Sequence, residues 1–252
     1  MGRETVSDRN LPKLDSENSS PPLRIATGLS VFHTSNASLV RERAQSAAYL
    51  VGEVATSYQW KFGEDWVLDL RAKQKVFRYN KLRHLDYESL NMGPELSRNF
   101  ERLGDVKLFA KYNFQRLTDH FGEEFYRDHT IELGVEKTVD WRDGYVYAGY
   151  SSTLGWADPR AAQRDEHGLY LGSWFDFSRD FGGEIYYRAA LYDYIGGRRD
   201  LYQTAEASLV WDFTEHTSLN ASFSWTRDRS SRAGFGYDEW NPGGGLSLRI
   251  RF

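Results

Sequence analysis

From about Leu23 to the last residue, the chain repeats short segments in which apolar and polar residues alternate. The last segment shows the plan most simply: Leu246, Leu248, Ile250 and Phe252 share one parity, and Ser247, Arg249 and Arg251 the other. Successive side chains of a strand point to opposite faces, so each such segment predicts a strand with one apolar and one polar face. The first run, about Leu23 to Ser35, sets Ile25, Leu29 and Val31 against Arg24, Gly28 and Ser30. Further on, Trp66, Leu68 and Leu70 oppose Asp69, Arg71 and Lys73; Leu219, Phe223 and Trp225 oppose Asn220, Ser222 and Ser224. Pro94 interrupts the fourth segment; it cannot donate to a ladder and predicts a bulge there.

Turn signals punctuate the segments in two kinds. Phe62-Gly63-Glu64-Asp65, Leu103-Gly104-Asp105, Trp141-Arg142-Asp143-Gly144, Asp180-Phe181-Gly182-Gly183 and Glu215-His216-Thr217 are short. They alternate with longer connections, such as about Asn80 to Tyr87, Ala157 to Glu166 and Asp228 to Asn241. Aromatics gather beside the short turns, among them Trp60, Phe62, Trp66, Phe100, Trp141, Phe177, Phe181, Trp211, Phe213 and Phe252. That placement suits rings that are apolar on one side and wet on the other. No segment supplies a helix to cover the apolar faces. The pattern therefore predicts an all-β fold: a closed, antiparallel, up-and-down transmembrane β-barrel of about twelve strands over residues 23–252. A soluble barrel with a dry core is excluded by the Arg, Lys, Glu and Asp on nearly every strand's polar face. Residues 1–22, rich in Ser, Asn, Asp and Pro, read as a disordered lead or linker.

Composition narrows the class. Hydrophobic residues make up 40% of the 252, aromatics 15%, and the mean hydropathy is -0.65. A helical membrane protein needs apolar runs of roughly 20 residues, and none is present. A barrel needs only half of its strand residues apolar. The net charge of -4 implies no nucleic-acid partner, and the absence of cysteine removes disulfides and thiolate metal sites. Nothing in the chain points to a cofactor or a metal. Its first residues lack an apolar signal region, so the barrel reading implies that a signal peptide is missing from this sequence or that the chain is a piece of a longer protein.

Three groups of residues carry candidate chemistry. The polar face would line a lumen with Glu53, Asp69, Arg71, Lys73, Lys75, Glu95, Lys107, Lys111, Glu132, Glu136, Glu184, Arg188, Glu206, Asp212, Arg249 and Arg251. Such a set makes either a charged channel for polar solutes or glycans, or a plugged structural or docking barrel closed by ion pairs. The basic members on the third and fifth strands predict a positive wall facing a negative one built from Glu132, Glu136, Glu184, Glu206 and Asp212. Arg160, Arg164, Arg198, Arg199, Arg227, Arg229 and Arg232 fall in or beside the long loops, an outer rim suited to the phosphates of lipopolysaccharide or an acidic glycan. Third, His33 and Ser35 share the parity of Val31, so both would face lipid at a strand end.

Those last residues, in His33-Thr34-Ser35-Asn36, resemble the His-x-Ser-Asn motif of outer membrane phospholipase A and the lipid A deacylase PagL. The resemblance implies a lipid-ester hydrolase with Ser35 as nucleophile and His33 as base. Both families place an acidic or amide partner about fourteen residues after the His; that position here is Ala47. A broader resemblance spans nearly the whole barrel. The early Ser35-Asn36, the alternating strands and the ending Ser224-Trp225-Thr226-Arg227 to Phe252 resemble bacterial outer membrane porin-like barrels associated with polysaccharide or surface export. This resemblance implies an outer membrane location, a periplasmic export partner, and a terminal Phe252 read by the barrel assembly machinery.

Overall fold

The computed structural model describes residues 23–63 and 65–252; the predicted lead over 1–22 lies outside them. The described residues form twelve strands: β1 Leu23–Thr34, β2 Ala47–Phe62, β3 Trp66–Tyr79, β4 Tyr87–Phe100, β5 Val106–Asp119, β6 Glu124–Asp140, β7 Gly144–Asp158, β8 Arg164–Ser178, β9 Phe181–Tyr194, β10 Arg199–Asp212, β11 Thr217–Ser230 and β12 Tyr237–Arg251. Each pairs antiparallel with its neighbours in sequence, and β1 pairs with β12 to close the barrel. The closing ladder runs from Arg24↔Arg251 to Phe32↔Gly243, and the Phe252 N–H donates to the Leu23 carbonyl at 2.9 Å. Closure satisfies every strand edge, which a lipid environment requires.

Alternation sets the two faces. Leu169 is 65% exposed, Ile185 61% and Leu133 57%, whereas lumen-side Glu239 is 1% exposed. The protein is apolar outside and polar inside. Beside the short turns the expected girdle forms in contacting pairs: Trp60 with Phe62, Phe62 with Trp66, Trp141 with Phe175, Phe177 with Phe181, and Trp211 with Phe213. Leu133 sits midway along the outward face of β6, between Val139 and His129. Leu133→Arg is expected to cost about 2–4 kcal/mol, the depth-dependent cost of a cation at the bilayer midplane; equilibrium refolding into lipid vesicles measures it.

The bulge expected at Pro94 is absent. β4 keeps one register with β5, from Met92↔Phe114 to Glu95↔Lys111, and simply leaves Gly93 and Pro94 unpaired on that side. Pro94 still faces Leu70 on β3. The missing N–H is accommodated by a gap rather than by an extra residue. The register shifts instead between Leu117 and Thr118, and between Asp176 and Ser178.

Candidate functional site: a charged and aromatic lumen

The lumen-facing side chains enclose a cavity of about 1700 Å³. Its lining runs from Lys61, Asp105 and Arg142 beside the short turns to Tyr87, Tyr194 and Tyr237 at the opposite end. The cavity's lining therefore includes residues from both ends of the barrel. Asp69, Arg71, Lys73, Lys75, Glu95, Lys107, Lys111, Glu132, Glu136, Glu184 and Arg188 all border it. The remaining residues read as lumen-lining share that face without bordering this space. Glu53 pairs with Lys75 at 3.4 Å, and Glu206 is buried. Asp212 and Arg249 lie 3.7 Å apart near the short turns, and the Ser218 hydroxyl donates to Asp212 while accepting from Arg249. Arg251 is exposed at the end of the closing ladder, opposite Arg24.

The predicted division into a positive and a negative wall does not form. The basic residues of β3 and β5 are interleaved with carboxylates. Arg71 lies 2.8 Å from Asp69 and 3.6 Å from Glu95; Lys107 lies 2.7 Å from Glu95; Lys111 lies 3.9 Å from Glu132. Strand register explains it: Glu53↔Lys75, Glu95↔Lys111, Lys107↔Glu136 and Lys111↔Glu132 stand directly opposite one another. Parity assigns a side chain to a face, but only register assigns it to a row.

Across the lumen the carboxylates are held by tyrosines. Tyr147 donates to Glu184 at 2.6 Å, and Tyr170 to Glu136 at 3.0 Å. Tyr145, Tyr147, Tyr170 and Tyr186 form one ring cluster, with centroids 6.1–6.4 Å apart in contacting pairs. Sequence reasoning assigned these rings no role, although tyrosine at lumen parity on β7, β8 and β9 was a usable signal. Toward the long-loop end, Glu166 receives both Arg164 at 2.7 Å and Arg188 at 3.1 Å. The Arg164 guanidinium lies 4.5 Å from the Tyr192 ring centroid.

No family model matches the sequence, and no curated protein matches it. Solved structures are similar in shape. An outer membrane channel from Pseudomonas putida F1 superposes with a TM-score of 0.64 at 9% identity, covering 95% of this chain and all of that one. The translocator domain of the autotransporter NalP from Neisseria meningitidis gives 0.50 at 12% identity over 97% of this chain and 92% of that one. The NanC porin gives 0.50 at 9% identity over 89% of this chain and all of that one. The chain shares the closed β-barrel fold of these outer membrane proteins.

In outer membrane barrels the short turns lie on the periplasmic side and the longer loops outside. The outer rim of this barrel differs from the expected anion cradle. Arg164 belongs to β8, faces inward and borders the lumen, so it is not a rim residue. Arg198 folds in at 3.5 Å over the Tyr194 ring and 2.9 Å from buried Asp200. Arg199 meets Asp193 at 3.4 Å, Arg227 meets Asp238 at 3.4 Å, and Arg232 donates to the Gly196 carbonyl. Arg160 sits in a single 3₁₀ turn, and Arg229 lies near the end of β11. The connections are short, so several of these arginines fall on strand ends in register with carboxylates of the same chain.

The hydrolase arrangement is not assembled either. The Ser35 hydroxyl accepts from the Trp240 backbone N–H at 3.0 Å, and the Ser35 N–H donates to the Trp240 carbonyl. Among the described residues no hydrogen bond joins His33 to Ser35. His33 faces Ala48 across the β1–β2 ladder, and Thr34 faces Ala47. Asn36, 2% exposed, is a loop anchor: its side chain bridges to Val40 and to the Asp238 carbonyl.

Proposed function

We propose that this outer membrane barrel is a porin-like passive channel for small polar solutes. The observation that carries this reading is a cavity bordered by residues from both ends of the barrel. Its lining is charged but interleaved in sign, which suits hydrated solutes and confers little preference between simple ions. The fold shared with an outer membrane channel and a porin supports the same reading. Under it, Phe252 serves assembly into the outer membrane.

The test is planar-bilayer recording of detergent-refolded protein. Stepwise conductance with weak selectivity between potassium and chloride is the expected result. Properly inserted barrels that conduct nothing would overturn the channel reading and favour a plugged docking barrel.

A further inference from the structure

Three aromatic rings that border the lumen each reach over a glycine of the neighbouring strand, as Phe32 does over Gly243. A Cβ placed on Gly134 would fall 2.1 Å from Phe109 Cζ; one on Gly149 would fall 2.3 Å from Tyr170 Cζ; one on Gly172 would fall 2.3 Å from Tyr147 Cζ. The cross-strand pairs are Phe109↔Gly134, Gly149↔Tyr170 and Tyr147↔Gly172. On the lumen face these pairs occupy successive rows, because Gly134 stands opposite Ser151, Glu136 opposite Gly149, and Thr138 opposite Tyr147. Rows two residues apart are separated by roughly 7 Å along the strand. All three rings border the lumen.

Backed by glycine, a ring can sit close to the wall and occupy little of the bore; Lys107 Nζ lies 5.5 Å over the Phe109 ring, so that ring meets the lumen beside a cation. Two of the rings are also fixed at the hydroxyl, Tyr147 by Glu184 and Tyr170 by Glu136. The result is a ladder of apolar ring faces with a polar margin of Thr138, Ser151, Glu136 and Glu184.

We propose that Phe109, Tyr170 and Tyr147 form a stacking track for oligosaccharides passing through the channel. A pyranose ring presents a face of C–H bonds and a rim of hydroxyls, which matches an apolar ring face with hydrogen-bonding groups around it. A purely aromatic solute would cover those polar groups without meeting them. The inference rests on the channel reading and deepens it by naming the solute class.

The experiment is single-channel recording with millimolar maltohexaose, hexagalacturonate or benzoate added to one side. Conductance in salt alone tests the channel; block by solute tests the track, so the two ideas fail separately. At least one of the two saccharides should give transient block, with benzoate giving none. Tyr147→Leu and Phe109→Leu should each shorten the blocked time about five-fold, the loss of one ring contact, and Tyr147→Phe should keep it. Variants that still conduct in salt are taken as folded, and either Leu variant suffices for the comparison. Conducting channels that neither saccharide blocks would overturn the proposal, as would block by benzoate alone. So would a Tyr147→Phe effect as large as that of Tyr147→Leu, since the hydroxyl rather than the ring face would then be the binding element.

Discussion

Glu95→Lys is expected to turn a weakly selective channel into an anion-preferring one. Glu95 stands between Lys107 at 2.7 Å and Arg71 at 3.6 Å, and faces Lys111 across the β4–β5 ladder. It is the carboxylate that interrupts the run of cations on β3 and β5. Replacing it with a cation changes the local charge by two units. At a separation of ~10 Å through water, one unit is worth about 0.4 kcal/mol to a passing monovalent ion. Two units are then worth about 0.8 kcal/mol to an anion and the same with opposite sign to a cation, so the anion-to-cation permeability ratio changes by about 1.6 kcal/mol, or about fifteen-fold. Glu95→Gln should give about half that free energy, or about four-fold. Lys107→Glu changes the same site by two units in the other direction and should favour cations by about fifteen-fold. Reversal potentials under a salt gradient measure all three, and raising the salt concentration should shrink each effect through screening. If Glu95→Lys and Lys107→Glu shift the reversal potential in the same direction, the ion-pair lattice does not set the field in the lumen.

Glu95 also marks the line between what the chain discloses and what it conceals. Its parity with Asn91 and Ser97 placed it on the lumen face, because lipid around the other face favours apolar side chains there. The same rule located the girdle, since the aromatics next to the short turns are consecutive outward positions. The partners of Glu95 were hidden. They depend on how far β4 and β5 slide past each other, and no local signal in either strand states that offset. The expectation of a positive wall failed for this reason: Arg71, Lys107 and Lys111 were assigned to the right face without their rows. Arg164 failed for a related one. Strand β8 begins at Arg164, so a residue read as part of an outer loop is a lumen residue bound to Glu166. His33 and Ser35 looked catalytic because the motif is defined by residue types. The side chains of Ser35 and Asn36 instead fasten the loop over residues 35–46 to β12, and only tertiary placement could show that. The glycine-backed rings needed register as well, because Tyr147 and Gly172 are far apart in the chain and meet only across the β7–β8 ladder.

The second large effect concerns Gly93. Gly93→Ala is expected to prevent or severely weaken barrel assembly. A Cβ at this position would lie 1.9 Å from the Tyr112 carbonyl oxygen and 2.8 Å from its carbon. Those are backbone atoms of β5, so no side-chain rotation relieves the clash; the two strands must separate. They meet where their ladder is already interrupted, because Pro94 has no N–H to donate and neither Gly93 nor Pro94 pairs with β5. Pushing β5 outward there would unseat Glu95 from Lys107 one row along and would expose unpaired backbone groups to lipid, where no water can satisfy them. Overpacking of a close-packed site costs about 1–3 kcal/mol, and the added loss of hydrogen bonds in lipid should bring Gly93→Ala to the upper end of that range or beyond. Gly52→Ala is the matched control, since a Cβ there meets nothing within 4 Å. The measurement is the fraction of protein that reaches the compact, heat-modifiable form on refolding into detergent or vesicles, together with the denaturant midpoint of whatever folds. Gly52→Ala should refold like the wild type and Gly93→Ala should not. Equal midpoints for the two variants would mean that β4 and β5 are not in the close contact at Gly93 from which the expectation is built.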